Sequence, residues 1–276
     1  MSQSQANSSG TVEAAPISPA RIWAPVWRRR GWWNGWFLPA VLVGLALVFI
    51  GGGYEVTVHF NGWRGQTVWS PATSLDSWIP MVPWSVLPYT SVYVYFVLTV
   101  VVPSRRDEGL LQMVLVYQAL FLIAAISFAC FLLLPCEVVS LRQLPEPIRT
   151  HQGWPGCIYA FVHSLDTPYN AWPSLHVSLS LLVATYLSWR VGRRRPFRVV
   201  VLWVGWCLLA VSTLTTKQHM VFDVATGIGI AVIVWFASLR PALVRSSRQA
   251  TLAAVPPQAG EFCKLTRPSL NAETRS

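Results

Sequence analysis

The stretch Leu110–Leu134, with the sequence LLQMVLVYQALFLIAAISFACFLLL, contains no Asp, Glu, Lys or Arg. Crossing the hydrocarbon core of a bilayer takes roughly 20 apolar residues, so a helix formed by this stretch is long enough to span a membrane. The chain of 276 residues is 53% hydrophobic and only 12% charged, whereas soluble domains carry about 25% charged residues. The sequence therefore predicts an integral membrane protein.

Five further apolar runs accompany this stretch, and together they predict an all-α, polytopic protein built as a bundle of six transmembrane helices. The predicted spans cover about 36–54, 83–102, 110–134, 173–191, 197–215 and 218–239, with a long loop at 135–172. Residues 1–35 are expected to form a disordered or interfacial tail, 36–239 the membrane domain, and 240–276 a disordered cytoplasmic tail.

Arginines cluster at alternate ends of these spans, at Arg28-Arg29-Arg30, Arg105-Arg106 and Arg193-Arg194-Arg195. Because cytoplasmic loops carry the excess of Lys and Arg, this alternation predicts that both termini are cytoplasmic. The net charge of +10 is thereby explained by topology, and no nucleic-acid partner is expected. Cys136 and Cys157 lie in the same outer loop, and the sequence leaves open whether they form a disulfide.

Two segments carry ionisable residues at the start of a predicted span, NAWPSLH (170–176) and KQHMVFD (217–223). Such residues are costly to place near a bilayer and suggest a function. One span inward and one span outward separate His176 from His219, so both imidazoles are expected on the outer side of the membrane.

Helical spacing suggests how these side chains cooperate. Asp223 follows His219 by four positions and would share its helix face, where the carboxylate accepts a ring proton and leaves the other nitrogen as nucleophile or base. Pro173 suits the first turn of a helix and Ser174 its cap, and such a helix start attracts a phosphate. His176 would then donate a proton to a leaving oxygen.

Other readings of the same residues remain open. One alternative is that the His–Asp pair serves packing alone. Another is that the histidines, which include His59, His151 and His163 on the same side, hold a haem or a metal ion. A transporter or scramblase without covalent chemistry is a third alternative. The residues alone favour none of these alternatives over a catalytic site that uses no metal and no cofactor.

The two segments resemble the type-2 phosphatidic acid phosphatase (PAP2) superfamily. Pro173-Ser174-Leu175-His176 is similar to its motif Pro-Ser-Gly-His, with Leu in place of Gly. Ser212, Thr213, His219 and Asp223 align with the motif Ser-Arg-x5-His-x3-Asp, with Thr213 in the position of Arg. The family's first motif, Lys-x6-Arg-Pro, has no recognisable counterpart.

The resemblance covers about residues 76–239 and is closest to the inositol phosphorylceramide synthase-like branch of the superfamily. The segments Asp166–Asn170 and Ile79–Trp84 resemble bacterial members of that branch. This implies an enzyme of the bacterial inner membrane whose active site faces the periplasm.

The resemblance also implies a lipid phosphatase or phosphotransferase acting on a lipid-phosphate substrate. His219 would attack phosphorus and form a phosphohistidine, Asp223 would orient His219, and His176 would protonate the leaving group. Water or an alcohol would then accept the phosphoryl group.

Substrate-binding residues are expected around this trio of side chains. Phosphoryl transfer requires cations at the equatorial oxygens, and Lys217, Arg142 and Arg149 are the candidates for that charge. Ser174 and Asn170 are the polar candidates for contacts with the substrate.

Overall fold

The computed structural model describes residues 19–65, 69–136, 138, 145–150, 152–165, 170–192 and 195–253. The regular elements of these residues are helices, which confirms the predicted all-α class. In chain order the α-helices are α1 (Ala24–Arg28), α2 (Trp32–Gly35), α3 (Phe37–Ala46), α4 (Gly53–Arg64), α5 (Ser74–Trp78), α6 (Val86–Thr90), α7 (Val92–Val101), α8 (Asp107–Leu133), α9 (Glu146–Arg149), α10 (Gly153–Leu165), α11 (Leu175–Val191), α12 (Pro196–Thr215), α13 (Val221–Val234) and α14 (Arg240–Ala253). π-helical turns at Leu47–Gly52 and Trp235–Leu239 join α3 to α4 and α13 to α14.

Five helices of the described chain are long and apolar enough to cross a membrane. They cover Phe37–Arg64, Pro83–Val101, Asp107–Leu133, Pro196–Thr215 and Val221–Gln249. The predicted fourth span is α11, an apolar helix of 17 residues. A protein with several membrane helices is therefore confirmed, while the count of six spans and the cytoplasmic position of both termini stay predictions.

The first long helix ends ten residues later than the sequence suggested. Instead of stopping near Tyr54, it continues to Arg64 and ends at Gly65, which adopts the left-handed conformation (φ 60°) of a helix C-cap. The polar extension docks on the end of α8, where Asn61 and Arg64 donate hydrogen bonds to the carbonyls of Phe131 and Leu132. These carbonyls lack partners within α8, so the contact explains why the extension stays helical.

Two other segments also contain more helix than predicted. The last helix continues past Leu239 to Ala253, and the loop at 135–172 contains α9 and α10. Within that loop Cys136 is buried and Cys157 is exposed.

Helix α11 lies at the centre of the bundle and packs against α7, α8, α12 and α13. Every residue from Val177 to Ala184 is buried, as expected for a helix that is surrounded on all sides. The two serines in this stretch are compatible with burial because Ser178 and Ser180 donate to the carbonyls of Leu175 and His176 in the same helix. The longer helices around α11 expose large apolar side chains, such as Phe49, Val201 and Phe236, which would face lipid.

A close approach between α13 and the start of α11 depends on a glycine. A Cβ atom at Gly227 would lie 2.8 Å from the carbonyl oxygen of Ser174, a distance that side chains do not tolerate. Gly229, two residues later on the same helix, has open space at the corresponding position, with nothing within 4 Å.

We therefore expect Gly227→Ala to lower the free energy of unfolding by about 1–3 kcal/mol, because the methyl group forces the two helices apart. Gly229→Ala is the matched control and should leave stability unchanged or raise it, since Ala favours the helical backbone by about 1 kcal/mol. Thermal unfolding of the purified variants in detergent measures both. Equal melting temperatures for the two variants would contradict the close approach.

Candidate active site

The structure brings the two predicted histidines together. The ring centroids of His176 and His219 are 5.7 Å apart, with the rings in an edge-to-face arrangement. His176 lies in the first turn of α11, and His219 lies just before α13. His219 is 6% exposed, so its ring is largely shielded from the surroundings of the protein.

The hydrogen bonds of His219 determine its tautomer. Its Nδ1 lies 2.9 Å from the carbonyl oxygen of Ala171, and because a carbonyl only accepts, Nδ1 carries the proton. The Nε2 atom therefore bears the lone pair in the neutral ring. Nε2 is buried and makes no hydrogen bond within the described part of the chain, which leaves this lone pair available for chemistry.

Asp223 completes the group, although not in the predicted geometry. Met220, in extended conformation, is the N-cap of α13, so His219 precedes the helix instead of sharing a face with Asp223. Asp223 Oδ2 accepts the N–H of Met220 at 2.8 Å and lies 3.6 Å from Nδ1 of His219. The carboxylate thus caps the helix and places its charge beside the imidazole.

The start of α11 is joined directly to the start of α13. Ser174 is the N-cap of α11, as predicted, and its Oγ accepts from the N–H of Val177. Its own N–H donates to the carbonyl of Asp223 at 3.1 Å. Pro173 was predicted to lie in the first turn of this helix, but it precedes the cap residue Ser174 and therefore lies outside α11. The positive end of the α11 dipole therefore lies next to His176.

Lys217 was predicted to supply positive charge, and the structure gives its ammonium group two protein partners. Its Nζ donates to the carbonyls of Asp76 and Ile79 at 2.7 and 2.6 Å. Burial of the side chain lowers the pKa of Lys217. The residue has a left-handed backbone (φ 57°), and its side chain ties the turn before His219 to the C-terminal end of α5. A charge-supplying role for Lys217 stays a prediction.

Asn170 lies within a buried network of polar side chains. Its Nδ2 donates to Thr57 Oγ1 at 2.8 Å, and its Oδ1 accepts from Asn61 at 3.0 Å. Both partners belong to α4, so Asn170 fixes the segment before α11 to the first long helix. This contact explains why Asn170 is buried, and its predicted contact with substrate stays a prediction.

Of the two arginines predicted to supply positive charge, the structure describes Arg149. Arg142 lies outside the described residues. Arg149 ends α9 and is exposed. Its neighbour Ile148 packs in one buried cluster with Tyr89 and Tyr159. Helix α9 therefore lies beside Tyr89, whose ring contacts that of His176.

Sequence reasoning missed several residues around the histidines. The ring of Tyr89 lies 4.6 Å from that of His176, and nothing in the sequence distinguishes it from other aromatic residues of a membrane span. Gln218 is buried, and its Nε2 donates to Nε2 of His163 at 3.0 Å. The sequence analysis placed His163 in the outer loop, on the same side as His176 and His219, and this shared side was the indication that it could lie near the site.

Asp76 was also missed, and it connects three segments. Its Oδ1 accepts the N–H of Val221 at 2.7 Å, and its Oδ2 accepts both the N–H and the hydroxyl of Thr73. Together with the Lys217 contact to its carbonyl, this makes Asp76 the link between α5 and the first turn of α13. Asp76 is 3% exposed.

An apolar groove of about 380 Å³ begins at His176. It runs between the first long helix and α7. The residues that line it are Leu47, Ile50, Gly51, Tyr54, Glu55, Tyr89, Thr90, Val92, Tyr93, Phe96, Val162, Leu175, His176 and Leu179. The groove therefore connects one of the two histidines to a surface suited to hydrocarbon.

The fold and the site define a helical membrane protein with paired histidines from two helices, one of them beside a buried carboxylate. A model of the PAP2 superfamily matches residues 69–237, more than half of the chain. The chain belongs to the PAP2 superfamily. Its members are in general phosphatases or phosphotransferases. No curated protein and no solved structure matches the chain.

Because Asp76 caps two helices next to the site, we expect Asp76→Ala to lower the free energy of unfolding by about 1–3 kcal/mol, the cost of leaving buried donors unpaired. The adjacent Ser77→Ala is the matched control, because the exposed Ser77 hydroxyl bonds only to Ser74 in its own helix. Thermal unfolding in detergent compares them. If Asp76→Ala is no less stable than Ser77→Ala, the capping role is wrong.

Proposed function

We propose that this protein is an integral-membrane lipid phosphatase or phosphotransferase that works through a phosphohistidine at His219. The observation that carries the proposal is the buried Nε2 of His219, whose ring is held by Ala171 and lies 5.7 Å from the ring of His176. A nucleophilic nitrogen with an oriented ring beside a second imidazole is the arrangement that covalent phosphoryl transfer requires.

In the first step, the lone pair of His219 Nε2 forms a bond to phosphorus while the bond from phosphorus to the ester oxygen breaks. The leaving oxygen takes a proton from the imidazolium of His176. The ring of His219 becomes positively charged, and the carboxylate of Asp223, 3.6 Å from Nδ1, stabilises that charge.

In the second step, water or an alcohol attacks the phosphohistidine. His176, now neutral, accepts the proton of the attacking hydroxyl group, and the electrons of the N–P bond return to His219. With water the products are phosphate and the resting enzyme. With an alcohol the product is a new phosphate ester, as in the inositol phosphorylceramide synthase-like branch that the sequence resembles.

The apolar groove supports a lipid as the substrate. A lipid whose phosphate group lies between the histidines would place its hydrocarbon chain past Tyr89 and Leu179, along the first long helix. Burial of apolar groups there contributes binding free energy of about 0.8 kcal/mol per methylene group. Soluble phosphate esters lack this contribution, so the groove favours substrates that carry an acyl chain.

The distribution of arginines supports an extracytoplasmic site. Arg30 and Asp107 form a salt bridge at the start of the first and third long helices, whereas Asn61 and Phe131 meet near the other ends of these helices, on the side of Asn170. A 27-residue helix such as α8 is about 40 Å long. The arginine-rich end and the histidine site therefore lie on opposite sides of the bundle, as the bias of arginine towards the cytoplasm requires.

The nucleophile is tested with His219→Gln, which keeps a polar side chain but has no ring nitrogen. We expect phosphate release from a panel of lipid phosphates to fall at least about a thousandfold and the acid-labile phosphoenzyme formed from ³²P-labelled substrate to vanish. His59→Gln is the matched control, because His59 lies on α4 with its side chain 78% exposed, and it should keep wild-type activity.

A His219→Gln variant that folds and retains full activity would refute the phosphohistidine. If wild-type protein moves lipid between leaflets but releases no phosphate and transfers none to added inositol, the protein is a transporter instead of an enzyme.

The groove is tested with two neighbouring glycines. Gly51 lines it and Gly52 does not, and a Cβ atom at either position has nothing within 4 Å. We expect Gly51→Leu to lower kcat/KM for a long-chain phosphatidate roughly tenfold while leaving the hydrolysis of p-nitrophenyl phosphate unchanged. Gly52→Leu should alter neither rate. Equal effects of the two substitutions on the long-chain substrate would exclude the groove as the acyl-chain site.

A further inference from the structure

A second pocket lies at the opposite end of the bundle from the histidines. Its volume is about 440 Å³, and its lining includes Arg28, Arg30, Asn34, Arg105 and Asp107. Unlike the groove at His176, it is lined mainly by polar and charged groups. None of its lining residues takes part in the proposed reaction, so its composition needs a separate explanation.

The charges of the lining do not cancel. Arg30 forms a two-pronged salt bridge with Asp107, at 2.7 Å from Nε and 2.8 Å from Nη2, and its Nη1 donates to the carbonyl of Trp27. The pair is neutral, and each of the three guanidinium nitrogens of Arg30 donates a hydrogen bond within the protein. Arg28 and Arg105 then remain as two positive charges around the same pocket.

Arg105 is held in place more firmly than a solvated surface arginine. Its guanidinium lies 3.9 Å above the ring of Trp36, and its side chain packs closely on Gly35, where a Cβ atom would lie 3.2 Å from the Cβ of Arg105. Its Nη1 is buried and makes no hydrogen bond within the described part of the chain. A buried cationic N–H without an acceptor is unusual and indicates that an anion completes the site.

We propose that this pocket binds a phosphate group, with Arg28 and Arg105 as its cationic ligands and the Arg30–Asp107 pair as a fixed wall. Guanidinium groups match the oxygens of a phosphate in charge and in geometry. The exposed indoles of Trp32, Trp33 and Trp36 surround this end of the first long helix, and such residues concentrate at the level of lipid headgroups. The phosphate belongs either to an anionic lipid headgroup or to a soluble phosphate.

The experiment measures binding of two probes to the purified full-length protein by native mass spectrometry in neutral detergent. The probes are dioleoylphosphatidylglycerol and inorganic phosphate. The variant Arg28→Gln/Arg105→Gln should bind the probe at least about tenfold more weakly than the wild type. Arg245→Gln/Arg248→Gln is the charge-matched control, because both arginines are exposed on α14 and do not line the pocket, and its affinity should stay within about twofold of the wild type.

The two probes identify the source of the phosphate. Loss of lipid binding alone assigns the pocket to a headgroup, and loss of binding of both probes assigns it to phosphate itself. Because Arg105 packs on Trp36, Arg28→Gln alone serves as a second variant at an exposed position and should weaken binding in the same direction. Wild-type affinity of the single and the double variant for both probes would overturn the proposal.

Phosphate release by the same variants separates this pocket from the proposed active site. The double variant should keep the turnover of a water-soluble phosphate ester, because the pocket lies about a helix length from His219. If the wild type releases no phosphate from any ester but the arginine variants still bind the probe more weakly than the wild type, the proposed function is wrong and the proposed phosphate-binding pocket is supported.

Discussion

The hydrogen bond from the N–H of Ser174 to the carbonyl of Asp223 holds the site together. It joins the first turns of α11 and α13 through backbone atoms, so the spacing of His176 and His219 does not depend on a flexible side chain. In surroundings of low dielectric constant such a bond is stronger than in water. It forms because Gly227 has no side chain and lets α13 approach the carbonyl of the same serine.

Around this joint, polar groups on the segments between the helices are paired with each other. Asp76 accepts from Val221 while its carbonyl accepts from Lys217, which anchors α5, the short helix before the second long helix. Asn170 bonds to Thr57 and Asn61, which anchors the end of the first. Irregular backbone near a bilayer is tolerated where its polar groups are satisfied inside the protein. These contacts therefore make a rigid frame from segments that are not helical.

The apolar runs were sufficient to predict an all-helical membrane protein, because span length is set by bilayer thickness. The proximity of the histidines was also predictable, since two crossings return the chain to the same side. Helix ends were less predictable. The extension to Arg64 depends on docking to α8, and the position of His219 outside its helix depends on the left-handed backbone of Lys217. Such tertiary contacts, like the ring of Tyr89 against His176, leave no periodic pattern in the sequence.

Thr213, where the family motif has Arg, shows how the site differs from that pattern. Its hydroxyl donates to the carbonyl of Ala210 in its own helix, and its carbonyl accepts the N–H groups of Gln218 and His219. The backbone at this position therefore holds the turn that carries His219, the proposed nucleophile, while the side chain of Thr213 is buried and carries no charge. The replacement of Arg by Thr therefore removes a positive charge from this position, and the neighbouring cation Lys217 is bonded to two backbone carbonyls.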